Sequence, residues 1–540
     1  SVVVYYWRNA KLILHDIYFY ILLSPLYSYR ILGIFPSLDR NNYLTYKGLF
    51  RELATRNHDV TLISHFQMVD APDNYKDILL SKNQNVIKGL SFESVIVNDV
   101  SRVPFETLVS TKAGNDDCKV LMNNSEVYQM IRTRPRYDVI IVESYNSDCA
   151  LALAANLSAP YIAFNPQPIH PWHFNRLGIN FNSAHVPQSL LQYGKKPWFF
   201  ERLKSYVLYY ITQWVYYIGS QVTDHVYLYQ HLGDNLTTLE GIASNASLVF
   251  VNTHQSVFGG VARSDNVIDI GGIHIRPPKV IPTVKRFLNE AEHGVIYVNL
   301  GSAVKDSTLP SDKLNELLST FAKLPLRVLW KWDGGIVGNL PRNVMTMRWL
   351  PQYDILKHYN VKAFISHAGI LSTIEAVDAG VPVIAVPLFG DQYGNAAALS
   401  DAGIATIVSY QDLKKEPIKL IFIYPNYYTF CFRYREQAKL VSRMWHDRPI
   451  SSLETAIYWI EYVARYQGTT NLIATSTTSP WYQQLQLDVL AFVGIVLYIL
   501  AYVVIKLLSV CCCCCCQSDV AVQENTELTN ERRSKRVKFE

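Results

Sequence analysis

Short runs in which nearly every residue is apolar recur along the chain. In the first half they are Ile31–Phe35, Val60–Ser64, Tyr137–Val142 and Leu248–Asn252. In the second they are Val295–Leu300, Leu326–Trp330, Val344–Arg348, Ala363–Ser366, Val381–Val386 and Ile404–Val408. Continuous rather than alternating apolarity predicts strands buried on both faces, as in a parallel sheet covered by helices. After a loop at Pro36–Asn42, apolar positions return at helical spacing over Tyr43–Thr55 and lead into Val60–Ser64. Strand, helix and strand in that order begin a doubly wound α/β domain. The stretch Gly271–Pro282 (GGIHIRPPKVIP) has a glycine pair and several prolines, which suits a linker. The pattern therefore predicts an α/β chain of two Rossmann-like domains.

The ends differ from this body. Val489–Ile505 carries no charge and Leu507-Leu508 extend it past Lys506, a length that suits one transmembrane helix. Trp481 and Tyr482 precede it, as interfacial aromatics do. The tail carries Arg532, Arg533, Lys535, Arg536 and Lys538, which favour the cytosolic side and leave the large portion lumenal. Acceptor sequons at Asn123, Asn156, Asn235 and Asn245 fit that orientation. Arg8 and Lys11 precede an apolar Leu12–Tyr27 and resemble a signal peptide.

Composition narrows the classes. A net charge of +5 without a basic patch argues against a nucleic-acid partner. Six of the nine cysteines form the run Cys511–Cys516, a candidate for juxtamembrane acylation. The others, Cys118, Cys149 and Cys431, are scattered without metal-site spacing, and no disulfide scaffold is expected.

The chemistry concentrates in Arg348–Asn395. Between the runs Ala363–Ser366 and Val381–Pro387 lies His367-Ala368-Gly369, followed by a helical stretch. Strand, small turn and helix aim backbone N–H groups and the helix dipole at an anion, here a diphosphate. His367 can donate to a phosphate oxygen, and Gly369 permits close backbone approach. Ser372 and Thr373 supply hydroxyl donors. Glu375 shares a helix face with Ser372 and can accept from ribose hydroxyls.

The phrases FVNTH, VIYVNLGS, WLPQYDIL, GVPVIAVPLFGDQ and HDRPISSLETAIYWIEYV resemble the UDP-glycosyltransferases. The similarity is to the membrane-bound animal branch that includes the UDP-glucuronosyltransferases, and especially to its insect-type members. It runs from about Tyr29 through the span. It implies the GT-B architecture, two Rossmann-like domains facing across a cleft. It implies Trp349 stacked on uracil with Gln352 beside the base, Ser302 reaching the diphosphate, and Asp391 and Gln392 reading sugar hydroxyls. It implies no cofactor and no metal, with the UDP-sugar as co-substrate. The resulting organisation is a signal-like segment 1–28, an acceptor domain 29–265 and a UDP-sugar domain 266–447. Closing helices at 448–487, a span at 488–508 and a cytosolic tail at 509–540 complete it.

The acceptor side departs from the family pattern. Its general base is a histidine, and that position here is Asn42, with Glu143 at the orienting carboxylate. A neutral amide cannot take a proton near pH 7. Three readings follow: acceptors already nucleophilic, another base such as Glu143, or UDP-sugar binding without turnover. The run Glu416–Phe432 is too apolar and aromatic for the polar helix that family members have there. His170 and His173, in an aromatic-rich region 165–240, read as structural histidines. That region is also the candidate pocket for an apolar acceptor.

The expected activity is inverting transfer of a hexose, glucose before glucuronic acid, from a UDP-sugar to a small lipophilic acceptor. The setting is a single-pass endoplasmic-reticulum membrane protein. Self-association or association with related enzymes stays open.

Overall fold

Among the described residues thirteen strands form two fully parallel sheets, and the order in which they pair explains where the chemistry gathers. The computed structural model describes residues 28–536 apart from 81–90, 96–97, 178, 180, 195, 234–235, 260–262, 280–281, 336–337, 339, 415–426, 473–480 and 485. The first sheet contains β1 (Arg30–Ile34), β2 (Asp59–Ser64), β3 (Tyr75–Leu79), β4 (Val139–Glu143), β5 (Tyr161–Asn165), β6 (Leu248–Val251) and β7 (Val267–Asp269). Its spatial order is β3-β2-β1-β4-β5-β6-β7. The second contains β8 (Val295–Asn299), β9 (Arg327–Lys331), β10 (Val344–Met347), β11 (Val361–Ser366), β12 (Val383–Ala385) and β13 (Ala405–Ile407), ordered β10-β9-β8-β11-β12-β13. In each sheet the winding direction reverses once, between β1 and β4 and between β8 and β11. A crevice opens at such a switch point, outside the carboxyl ends of the strands.

The central strands are buried at nearly every position, as continuous apolarity requires. Three strands of the first sheet, β3, β5 and β7, lie outside the apolar runs named from the sequence. β3 and β7 are edge strands, β3 with Lys76 and Asp77 inside it and β7 only three residues long, so neither writes a continuous apolar run.

The helix after β1 starts earlier than its apolar spacing suggests. It spans Arg40–Thr55, and the Asp39 carboxylate accepts from the Asn41 backbone N–H at 2.8 Å as its N-cap. Asn42 is therefore buried in the first helical turn and not in a loop. The helix packs Tyr46, Leu49, Phe50 and Leu53 onto the sheet.

The Ser452–Tyr466 helix closes the body by returning to the first sheet, where Ala456, Ile457, Ile460 and Val463 join the core with Ile31 and Leu62. The linker is held to the second half by Arg276, whose guanidinium donates two hydrogen bonds to Asp354 at 2.9 and 2.7 Å.

Contrary to the reading of scattered cysteines, Cys118 and Cys149 form a disulfide. It joins the Asp99–Met122 helix to the Cys149–Asn156 helix. A separation of 31 residues gave no signal, because only packing of the two helices brings the thiols together.

The C-terminal unit, Thr478–Glu540, contains a helix at Leu487–Arg536. Its first part, Leu487–Leu508, has a mean hydropathy of 2.5 and the length of a membrane span. The helix does not stop there, so the expected tail continues it through the cysteine run. The signal-like segment up to residue 27, residues 416–426 of the anomalous run, and Asn235 lie outside the described residues. Of the other sequons, Asn123 and Asn245 are exposed, while Asn156 is partly buried at the end of a helix.

Candidate active site

At the carboxyl end of β11 the chain turns through His367-Ala368-Gly369 into the Ile370–Ala379 helix. Ala368 takes φ = 61°, a left-handed conformation that costs a non-glycine residue free energy. Three bonds hold it there. Its N–H donates to Ser366 Oγ at 3.1 Å, and its carbonyl accepts from Thr373 Oγ1 at 3.3 Å and Asn395 Nδ2 at 3.0 Å. The Thr373 hydroxyl, read from the sequence as a phosphate donor, here donates to the turn.

The turn presents His367. A Cβ on Gly369 would lie 2.5 Å from the His367 Nε2, and one on Gly301 would lie 3.0 Å from it. Two glycines therefore make room for the imidazole, Gly301 doing so at φ = 100°. Burial pulls the His367 pKa down to about 4, so the ring is neutral at physiological pH. Ser302, just after Gly301, is exposed at the end of β8.

Gln352 ties the rest together. Its carbonyl accepts from Asn299 Nδ2 at 2.6 Å, and its amide donates to Ser372 Oγ at 2.9 Å and Glu375 Oε2 at 2.7 Å. The side chain of Gln352 therefore acts as a brace between β8 and the signature helix. Ser372 keeps its own hydroxyl proton for another acceptor. Burial raises the Glu375 pKa to about 7. Trp349, three residues before Gln352, is 74% exposed, a free indole face in a chain that buries Trp330 and Trp332.

After β12, Asp391 is buried and its carboxylate accepts from Asn395 Nδ2 at 2.7 Å. Burial pushes its pKa to about 7. The Gln392 carbonyl accepts from the Leu388 and Phe389 N–H groups at 2.9 and 3.3 Å, which leaves the amide nitrogen as its remaining polar group.

Facing these from the first sheet is the Asn42–Glu143 pair. Asn42 Nδ2 donates to Glu143 Oε1 at 2.9 Å, and the Ser37 N–H donates to Glu143 Oε2 at 3.0 Å. Glu143 is 4% exposed, and burial raises its pKa to about 7 against those two hydrogen bonds. The amide holds the carboxylate as an orienting partner would, with no group that can accept a proton. His170 and His173 are buried, with His170 Nδ1 2.7 Å from Ser189 Oγ and His173 Nδ1 3.3 Å from Asn165 Nδ2. Burial lowers both pKa values, which fits structural histidines.

The halves are clasped across the crevice. Glu106 Oε2 accepts from the Gly390 N–H at 3.1 Å, and the Arg102 guanidinium lies 3.7 Å from the centre of the Tyr393 ring. Sequence reasoning missed these residues, together with Asn299, Asn395 and Lys331, whose Nζ donates to the Gly301 carbonyl at 2.9 Å. Each acts on a backbone or on another side chain, and such roles leave no motif in a single sequence. Of the aromatic-rich region 165–240, Pro168 and Phe174 line a cavity. Trp172 is core, and Trp198, Phe199 and Phe200 lie on the surface.

Comparison with known proteins agrees with this geometry. The family model for UDP-glucoronosyl and UDP-glucosyl transferase matches residues 39–522. The chain is 34% identical over 481 residues to UDP-glucosyltransferase 2 of Dactylopius coccus, covering 88% of this chain and 91% of that one. It is 33% identical over 501 residues to UDP-glycosyltransferase UGT5 of the same species, covering 89% and 93%. Among solved structures, a UDP-glucosyltransferase from Polygonum tinctorium superposes with a TM-score of 0.54 at 17% identity, covering 82% of this chain and 99% of that one. The two sheets are those of the GT-B fold, and the chain belongs to the UDP-glucuronosyl and UDP-glucosyl transferase family.

Proposed function

We propose that this protein transfers glucose from UDP-glucose, with inversion, to small lipophilic acceptors that need no general base. The observation that carries the reading is the Asn42–Glu143 bond facing an assembled donor site. In the reaction the acceptor atom forms a bond to the anomeric carbon while the bond from that carbon to the diphosphate oxygen breaks. UDP leaves with the electron pair. Trp349 stacks on uracil, Glu375 accepts from the ribose, and His367, Ser302 and Ser372 donate to the diphosphate. Asp391 and Gln392 read sugar hydroxyls. The charge on leaving UDP is met by these donors and by the N-terminus of the Ile370–Ala379 helix, so the scheme routes no step through a metal.

The acceptor proton is the difficulty. Asn42 cannot take it, and Glu143, although burial raises its pKa to about 7, is buried and already accepts a hydrogen bond on each oxygen. Acceptors that are amines or already ionised phenols avoid the step. Glucose is preferred over glucuronic acid because the relatives with the higher identity include one named a UDP-glucosyltransferase. An apolar cavity lined in part by Asn395, which donates to Asp391, supports a lipophilic acceptor. The hydrophobic Leu487–Leu508 helix and the basic tail support a single-pass protein of the endoplasmic reticulum with its body in the lumen.

The same broken dyad favours a second reading, a membrane protein that binds UDP-sugar without turnover and pairs with active relatives. Mass spectrometry of products from amine, phenol and alcohol acceptors, each with UDP-glucose and UDP-glucuronic acid, decides between them. Glucosylated amines or phenols support the enzyme. Bound UDP-glucose with no product from any acceptor supports the second reading.

A further inference from the structure

The linker between the halves carries a histidine that the donor scheme leaves unused. Gly271 ties the start of the linker to the first half and to the closing helix. Its N–H donates to the Thr253 carbonyl at 2.9 Å, and its carbonyl accepts from Ser452 Oγ at 2.6 Å and Arg448 Nη1 at 3.2 Å. Arg276 ties the other end to Asp354 in the second half. His274 stands between these two anchors, so its place is tied to both halves.

The His274 side chain is 7% exposed, and neither ring nitrogen meets a hydrogen-bond partner among the described residues. Burial lowers its pKa to about 4, so the ring is neutral at physiological pH. A neutral imidazole has one N–H to donate and one lone pair to fill, and burying both unused is unfavourable. Such a group calls for a partner that the resting structure does not yet supply.

That partner lies on the Ile370–Ala379 helix. His274 Nε2 is 3.9 Å from Glu375 Oε1, about 1 Å beyond an N–H···O hydrogen bond. The other carboxylate oxygen, Oε2, accepts from the Gln352 amide at 2.7 Å. The Glu375 side chain keeps 15% of its surface exposed, while both nitrogens of the imidazole are buried. The carboxylate can therefore meet a ligand, and the imidazole can act on that ligand only through the carboxylate. To accept from ribose hydroxyls Glu375 must be ionised, yet burial holds its pKa near 7, with Asp354 and Asp378 pushing the same way. Ionisation in such a place is favoured by additional donors. Gln352 supplies one, and His274 is placed to supply another. Each carboxylate oxygen has two lone pairs, so Oε1 can take a ribose hydroxyl and an imidazole N–H together.

We propose that His274 is a positioning residue of the donor site: with its proton on Nε2 it donates to Glu375 Oε1 when a ribose engages that carboxylate, and so links the interdomain linker to recognition of the nucleotide sugar. The inference rests on the reading of Glu375 as the ribose contact. A ring that only filled space could be replaced by another ring. A ring that donates can be replaced by an amide of similar reach, and not by a side chain without an N–H.

The test uses the full-length protein in lipid nanodiscs and calorimetric titration with UDP and with 2′,3′-dideoxy-UDP, which lacks both ribose hydroxyls. The wild type should bind UDP more tightly by about thirtyfold, the weight of a hydrogen bond to a charged group. His274→Phe keeps a ring and donates nothing. It should weaken UDP by about tenfold and leave 2′,3′-dideoxy-UDP within about twofold, so that the preference shrinks to about threefold. His274→Gln keeps an N–H at similar reach and should retain a preference above about tenfold.

A wild type that binds the two nucleotides equally overturns the ribose reading of Glu375, and the role of His274 falls with it. A preference that survives His274→Phe overturns the role of His274 alone and leaves the ribose reading standing. Loss of the preference in His274→Gln as well as in His274→Phe shows that shape matters and donation does not, which also overturns the proposal. If His274→Phe binds neither nucleotide, His274→Leu replaces it. Should all three variants bind neither, the histidine is a packing residue and the proposal fails.

Discussion

At the end of β11 a neutral imidazole sits between Gly301 and Gly369, and a glutamine three bonds deep in the same network locks Ser372 and Glu375 into place. At the ends of β1 and β4, an amide occupies the position from which a histidine would act, while its carboxylate partner stays fully bonded. The two ends are built alike, each at the point where the strand order reverses. They differ in what has been kept. On the proposed reading the donor end keeps groups suited to binding a diphosphate, while at the acceptor end an amide stands where a proton acceptor is needed. Binding and proton transfer are separable, because pre-organised donors need only geometry while a general base also needs a pKa near the working pH.

The sharpest way to break this contrast is Asn42→His. Glu143 Oε1 already accepts a hydrogen bond from this position, so a new imidazole finds its orienting carboxylate. General-base catalysis is worth about 10²–10⁴-fold. Turnover of alcohols and weakly acidic phenols should rise toward that range, with UDP affinity unchanged. Amines should gain much less, since a neutral amine attacks before losing its proton. Matched alcohol and amine rates across pH 6–9 measure it. Equal gains for both classes, or none for alcohols, would show that the contrast between the two ends has been misdrawn.

The contrast also explains what the sequence could reveal. The doubly wound pattern was readable because buried parallel strands write continuous apolar runs, and the candidate donor residues could be named because they cluster in Arg348–Asn395. The brace made by Gln352 was not readable, since its partner Asn299 is a strand-end residue 53 positions away with no motif of its own. The contact that Thr373 makes with the turn was unreadable for a related reason. A hydroxyl beside a phosphate turn and a hydroxyl that holds the turn look identical until the Ala368 carbonyl is located. The edge strands β3 and β7 and the Cys118–Cys149 bond were invisible because each depends on contacts between distant segments.

The disulfide tests whether the acceptor half supports the donor half. It fixes the Asp99–Met122 helix, which carries Arg102 and Glu106 across to Tyr393 and Gly390. Replacing both cysteines by alanine should lower stability by about 2–4 kcal/mol, read as an earlier first transition in urea. An unchanged transition would mean that helix packing alone holds the clasp. Trp349→Ala probes the donor half without that complication, because the side chain is exposed and supports no core. It should weaken UDP binding by about 1–3 kcal/mol if the indole stacks on the base. Calorimetry that finds wild-type UDP affinity removes the stacking role.

The smallest effect concerns Glu143 and pH. Burial raises its pKa from 4.5 to about 7 in the folded protein. Between those values the folded protein holds a proton that the unfolded chain has released, so stability falls as pH rises through that window. The contribution is fully present below about pH 4.5 and lost above about pH 7. Asp391 and Glu375, also raised to about 7 by burial, add slopes of the same sign, so the wild type should lose stability steadily across this range. Glu143→Gln removes one of these ionisations. It keeps an acceptor for Asn42 but gives up a carboxylate oxygen facing the Ser37 N–H, a pH-independent cost. The variant should therefore start lower at pH 5 and fall less steeply, closing the gap on the wild type by about 1–3 °C in Tm by pH 8. Parallel Tm curves for the two proteins would place the titration elsewhere, and Glu143 would then be ionised throughout and already poised to orient a histidine at position 42.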